Sequence, residues 1–136
     1  MAVYWRQDLI QIGIESIDQH HQQMLDLLGK FHSSFNTNLE EERFKMIIDF
    51  IDNHTVPTFK NEEQLMKKHH YPNFEEHQHE HRLFLDNYKE LKKEFKKKGV
   101  NKQLFLTMYR TISQLLTEHI SRADQSMGSY LKDRLA

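Results

Sequence analysis

Apolar side chains recur along most of this chain at steps of three and four residues, the spacing that places them on one face of an α-helix. The clearest run is Phe74, His77, His81, Phe84, Tyr88, Leu91 and Phe95, a seam of the kind that faces the interior of a bundle. It closes on Lys96-Lys97-Lys98-Gly99, cations at the negative end of the helix dipole followed by a glycine able to cap it. Three more segments keep the same period. One takes Asp18 as its N-cap and runs to about Asn36, with His21, Met24, Leu25, Leu28, Phe31 and Phe35 inward. A second runs from Glu40 to His69, with Phe44, Ile47, Ile48, Ile51, Thr55, Phe59, Leu65 and Met66 along one side. Pro57 within it lacks a backbone donor and clashes with the carbonyl one turn back, which predicts a kink. The last starts near Asn101 and carries Leu104, Met108, Ile112, Leu115, Leu116 and His119. Helices this long joined by short connections are antiparallel neighbours, so the expected fold is all-α, an up-down-up-down four-helix bundle. Residues 1–17, with Trp5, are read as an N-terminal arm lying across a bundle of residues 18–136, the whole forming one domain.

Composition narrows the function classes. A length of 136 residues suits a single domain, and four glycines with two prolines are too few breakers for a turn-rich β-sandwich. Twenty acidic against nineteen basic residues leave no basic field to recommend a nucleic acid partner. The lysine-rich stretch from Lys89 to Lys98 is then a solvated face. The absence of cysteine removes disulfides, iron–sulfur clusters, thiolate zinc and a cysteine nucleophile together. No apolar run reaches the ~18 residues of a membrane span, and the first residues lack the basic-then-apolar order of a secretion signal. A cytoplasmic protein without a membrane partner is expected.

Histidine is the unusual residue, with ten in the chain. His77 and His81, four apart, project from adjacent turns onto the inward seam. Glu62 follows Thr55 by two turns and faces the same interior. His21 opens the inward stripe of the first helix, and His119 lies on that of the fourth. One buried imidazole is explained by a bond to a carbonyl; an inward polar group from every helix is not. Each left unpaired would cost about 1–3 kcal/mol in a domain whose whole stability is about 5–15 kcal/mol. Bound metal resolves the conflict, and bundle cores are a known place for it. Imidazole with carboxylate, without thiolate, suits iron, manganese or zinc. The donors exceed the needs of one tetrahedral zinc, whereas two ions bridged by carboxylates would use them. Asp124 stands five residues after His119, about 140° away on an ideal α-helix. Bringing the two together requires irregular backbone within residues 120–123, such as a π-type turn.

The order and spacing of these residues resemble the hemerythrin family of non-heme di-iron, oxygen-binding four-helix bundles. The resemblance runs from Trp5, Gly13-Ile14 and Ile17-Asp18-x-x-His21 through Glu62-Glu63-x-Leu65-Met66 and Tyr71-Pro72 to His77-x-x-x-His81 and His119-Ile120-x-x-x-Asp124. It implies two iron ions bridged by an oxo or hydroxo group. One takes His77, His81 and His119; Glu62 and Asp124 bridge; the second takes His21 and a further histidine four residues before the bridging glutamate. Molecular oxygen would bind at an open position of that second iron, within apolar walls supplied here by Met24, Phe59, Leu115, Leu116 and Ile120. Leu115 stands where many bacterial relatives carry tryptophan.

The larger departure is at position 58, where the family pattern calls for histidine and this chain has Thr58. His54, one turn earlier and read as facing roughly inward, lies ~12 Å along a helix from residue 62, against ~6 Å for the usual pair. Ligation by His54 would need local unwinding at Pro57, so water or the Thr58 hydroxyl is expected in the gap. His20, His32, His69, His70 and His79 are expected to be exposed. The implied role is oxygen storage, transport or sensing rather than enzymatic turnover. An oxidase or peroxidase built on the more open second iron stands as the alternative, followed by a bundle with one metal or none. A ferritin-like oxidase would need two Glu-x-x-His pairs, but only Glu76-x-x-His79 occurs, outside the seam. Zinc-protease chemistry fails for want of a His-Glu-x-x-His motif.

Overall fold

The computed structural model describes residues 11–135, and the expected placement of Trp5 falls outside them. Over the described residues the chain forms four antiparallel rods. The first is α1 (Glu15–Ser33). The second joins α2 (Glu40–Phe50), a π-turn π1 (Ile51–Thr55) and α3 (Val56–Lys68). The third is α4 (Phe74–Lys98), and the fourth joins α5 (Lys102–Gln114), a π-helical stretch π2 (Leu115–Asp124) and α6 (Gln125–Leu135). Consecutive rods pack side by side, and the first also packs on the fourth, closing the bundle.

Local chemistry accounts for the boundaries. Asn101 caps α5, its side chain accepting the Leu104 N–H at 2.8 Å. Gly99 ends α4 at φ 75°, a left-handed conformation that costs glycine nothing. Pro57 falls in the first turn of α3, where a missing N–H is harmless, and the π-turn immediately before it takes up the expected disruption. The first helix begins at Glu15 instead of at Asp18. Asp18 therefore lies inside the first turn, where its carboxylate reaches back to the N–H groups of Ile12 at 2.6 Å and Gly13 at 3.1 Å. It secures the entry to the helix without being its N-cap.

The interior is not one continuous apolar core. A large cluster built around Phe31, Phe44, Phe105, Met108 and Leu116 fills most of the bundle. A smaller cluster of Ile12, Ile17, Met66, Tyr71, Met127 and Leu131 fills the other end. In every rod the sequence crosses from one to the other through polar residues. His20 and His21 lie between Ile17 and Met24, Glu62 between Phe59 and Met66, His77 and His81 between Phe74 and Phe84, and Asp124 between Ile120 and Met127.

Candidate metal centre

That polar layer is fully enclosed. Glu62 and Asp124 have no exposed surface, and His21, His77, His81 and His119 are buried. The π2 stretch makes this possible on the fourth rod. Its hydrogen bonds skip five residues, so His119 and Asp124, which would diverge on an α-helix, point inward together. The predicted irregularity at residues 120–123 is present and extends over the whole of Leu115–Asp124.

Donor atoms of Glu62, His77, His81, His119 and Asp124 all lie within 4.8 Å of one another. His77 Nε2 is 3.2 Å from Glu62 Oε1 and 3.0 Å from Asp124 Oδ1. His81 Nε2 is 3.1 Å from Glu62 Oε1, and His119 Nε2 is 3.1 Å from Asp124 Oδ1. Close as they are, Nε2 of His81 and of His119 make no hydrogen bond, nor do the oxygens of Asp124. Buried polar atoms that converge without bonding one another need a common partner. An octahedral ion with bonds of ~2.1 Å sets neighbouring donors ~3 Å apart, which is the spacing found here. The residues thus fit a cation, with five donors and one position left over.

The far nitrogens of two rings are held from outside this cluster. Glu63 Oε2 accepts from His81 Nδ1 at 2.9 Å, and Glu80 Oε1 accepts from His119 Nδ1 at 2.9 Å. With the proton on Nδ1, each Nε2 presents its lone pair to the centre, the arrangement by which carboxylates orient metal-binding imidazoles. Glu80 is itself clamped by both oxygens to Arg122 at 3.0 Å. Phe59 stacks on His81, with ring centroids 3.8 Å apart, and sets the plane of that ring.

Charge balance favours a cation as well. Burial opposes ionisation of Asp124, but the imidazoles of His119, His21 and His77 around it outweigh burial and hold its carboxyl well below the usual range. Burial also works against a charged His77, yet Asp124 and Glu62 raise it to about 9. In the metal-free protein a proton on this ring stands in for part of the missing positive charge.

The two carboxylates divide their oxygens. Glu62 Oε1 and Asp124 Oδ1 serve the three-histidine cluster, while Asp124 Oδ2 lies 3.1 Å from His21 Nε2. Glu62 Oε2 is buried without a partner. His21 therefore stands across Asp124 from the other imidazoles. The six residues expected at a metal centre are all in this layer, five around one position and His21 beside it.

The second rod brings no imidazole. Thr58 is half-buried, and His54 is exposed in π1, its ring against Phe50 with centroids 5.2 Å apart, so the inward orientation expected for His54 is not found. His70 and His79 are exposed as expected, and His32 and His69 are partly covered. His20 is not exposed: only 4% of its surface is open. Its Nε2 lies 2.9 Å from Thr55 Oγ1 and its ring stacks on Phe50. Burial, reinforced by the neighbouring imidazoles of His21 and His54, pushes its pKa down to about 3, although Asp124 pulls the other way, so the ring is neutral. Sequence alone gives no site role to Glu63, which stands only as part of a motif, to Thr55, which stands only as an inward position, or to Glu80. The signal for the two glutamates was adjacency, since each precedes or follows a ligand by one residue.

A family model for the hemerythrin HHE cation binding domain matches residues 12–131. A bacteriohemerythrin of Stenotrophomonas maltophilia (strain R551-3) is 29% identical over 135 residues, which cover 99% of this chain and 86% of the relative. No solved structure gives a significant match. With a buried histidine–carboxylate layer in a four-rod bundle and a family match that spans nearly all of it, this chain belongs to the hemerythrin HHE cation-binding family.

Proposed function

We propose that this protein binds molecular oxygen at a pair of iron ions, for storage, transport or sensing, and is not primarily an enzyme. The observation that carries the reading is the division of oxygens in Glu62 and Asp124. Each carboxylate turns one oxygen to the three-histidine cluster; the other oxygen of Asp124 lies beside His21, and the other oxygen of Glu62 is buried without a partner. That is what a pair of bridging carboxylates requires: one oxygen for each of two ions, with His21 as a donor to the second. His77, His81 and His119 would hold one iron, Glu62 and Asp124 would bridge, and His21 would serve the other.

Two ferrous ions together supply the two electrons that reversible oxygen binding draws on. The protein's part is to hold both firmly and to keep the surroundings dry. Met24, Phe59, Leu115, Leu116 and Ile120 are all buried and belong to the large apolar cluster that abuts the polar layer. They exclude water from the side on which a small apolar gas would enter. Among the described residues no helix is long and apolar enough to cross a membrane, in keeping with a diffusible oxygen binder.

Thr58 favours a second reading. Without an imidazole there, a more open second iron could turn over oxygen or peroxide as an oxidase or peroxidase. One experiment separates the two. After anaerobic loading with Fe2+, the iron content should be two per chain. Exposure to oxygen should then produce a lasting visible charge-transfer band that disappears under vacuum. Rapid bleaching with consumption of added peroxide would favour the enzyme, and one iron per chain would overturn both.

A further inference from the structure

We propose that His20 replaces the imidazole that the second rod lacks, completing the second metal position with His21, Asp124 and Glu62. This rests on the two-metal reading above and assigns a residue that the family pattern leaves without a role.

Four observations converge on His20. It is as deeply buried as the clustered histidines, more so than His119, although it is next in sequence to His21 and so points about 100° away around the helix. Its ring centroid lies 5.8 Å from that of His21, whose Nε2 is 3.1 Å from Asp124 Oδ2. Its orientation is fixed on two sides: Nε2 by Thr55 Oγ1 at 2.9 Å, and the ring face by Phe50, stacked 5.3 Å away within 9° of parallel. Its other nitrogen, Nδ1, is buried and has no hydrogen-bond partner.

The last point has a chemical consequence. A neutral imidazole carries one proton and one lone pair. If Nε2–H donates to the Thr55 hydroxyl oxygen, Nδ1 holds a bare lone pair in a closed space, with the Asp124 carboxylate near enough to act on the ring. This is the arrangement already seen at His81 and His119, with the assignment of nitrogens exchanged: an outer oxygen takes the N–H and the opposite nitrogen is left as a donor to metal. Thr55 would do for His20 what Glu63 and Glu80 do for those rings. The alternatives are worse placed. His54 is exposed, and Thr58 offers only a neutral hydroxyl, a weak donor for iron beside imidazole.

The test is iron content after anaerobic loading of the full chain with Fe2+ and removal of free metal by gel filtration. Wild type should retain two irons per chain, His20→Leu one, and His54→Ala two. Placing the family's histidine back in the same background, His20→Leu with Thr58→His, should restore the count to two. Two irons retained by His20→Leu would overturn the assignment while leaving the two-metal centre standing. One iron in wild type would overturn the assignment together with that centre, and no iron at all would remove the metal-based reading entirely. A measurement on wild type guards against a variant that fails to fold. In protein loaded with Co2+ and labelled with 15N-histidine, five of the ten imidazoles (His20, His21, His77, His81 and His119) should show large contact shifts. A diamagnetic position for the His20 ring would overturn the proposal.

Discussion

Glu80 touches the centre only through His119, which makes it a direct probe of how much the outer carboxylates contribute. Its Oε1 accepts from His119 Nδ1 at 2.9 Å while Arg122 holds both its oxygens at 3.0 Å. Glutamine at this position keeps an acceptor of the same shape but loses the charge. A hydrogen bond to a charged group contributes about 1.5–3 kcal/mol and a neutral one about 1 kcal/mol, so Glu80→Gln should cost the metal-bound state about 1 kcal/mol. That is about a fivefold weaker affinity for the ion at the three-histidine position. Glu80→Ala removes the bond and lets the ring turn, with an expected loss of about 10–100-fold. Arg122→Ala is the control. Its guanidinium is largely exposed, and ion pairs of that kind contribute about 0–1 kcal/mol, so affinity should stay within a few-fold of wild type. The assay is titration of metal-free protein with Co2+ against a competing chelator. If Glu80→Ala binds within twofold of wild type, the claim that Glu80 sets the direction of the His119 lone pair is wrong.

Two further outcomes follow from other parts of the structure. In the metal-free protein His77 titrates near 9 when folded, against an ordinary 6.5. Its contribution is complete below about pH 6.5, where both states hold the proton, and is lost as pH rises through 9. Metal-free protein should therefore lose on the order of 3 kcal/mol across that window, seen as a falling thermal midpoint; a flat midpoint would contradict the assignment. Gly128→Ala gives a test of opposite signs. Helix propensity alone predicts a gain of about 1 kcal/mol, but a Cβ there would stand 2.5 Å from the Ile12 carbonyl oxygen and 2.6 Å from its Cβ. Overpacking should win, with a net loss of about 1–3 kcal/mol in denaturant unfolding, and any stabilisation would refute it.

Much of this centre could be read before the fold was known because its ligands lie on the apolar seams. His77 and His81 sit on the same stripe as Phe84 and Leu91, so the period that builds the bundle also aims the donors. Asp124 was harder, since regular geometry turns it away, but its conflict with His119 was itself informative and pointed to the π2 stretch. What escaped notice lies one step off a seam. Glu63 and Glu80 fall on flanks that look solvent-facing within their own rods, and only the neighbouring rod supplies the ring each one meets. His20 is hidden for the same reason: the period of α1 alone leaves it facing outward, whereas Thr55 and Phe50 of the second rod cover it. Asp18 has the composition of an N-cap, yet the backbone turn at Ile12 and Gly13 offers it two free N–H groups and the helix starts earlier. Pairwise contacts between rods are not encoded in the period of either.

The polar layer cuts the hydrophobic interior into two unequal bodies, and the smaller one gathers Ile12 near the beginning of the chain with Met127 and Leu131 near its end. Little oily surface joins this end to the rest, so its attachment depends on what occupies the layer between them. Metal bound there would pin the second, third and fourth rods through Glu62, His77, His81, His119 and Asp124, and the first through His21. Its removal leaves a seam of protons and carboxylates along which the small end can open as a unit of its own. Whether metal is bound would thereby be felt at Ile12 and at Leu131, near the two ends of the chain that meet in the smaller body.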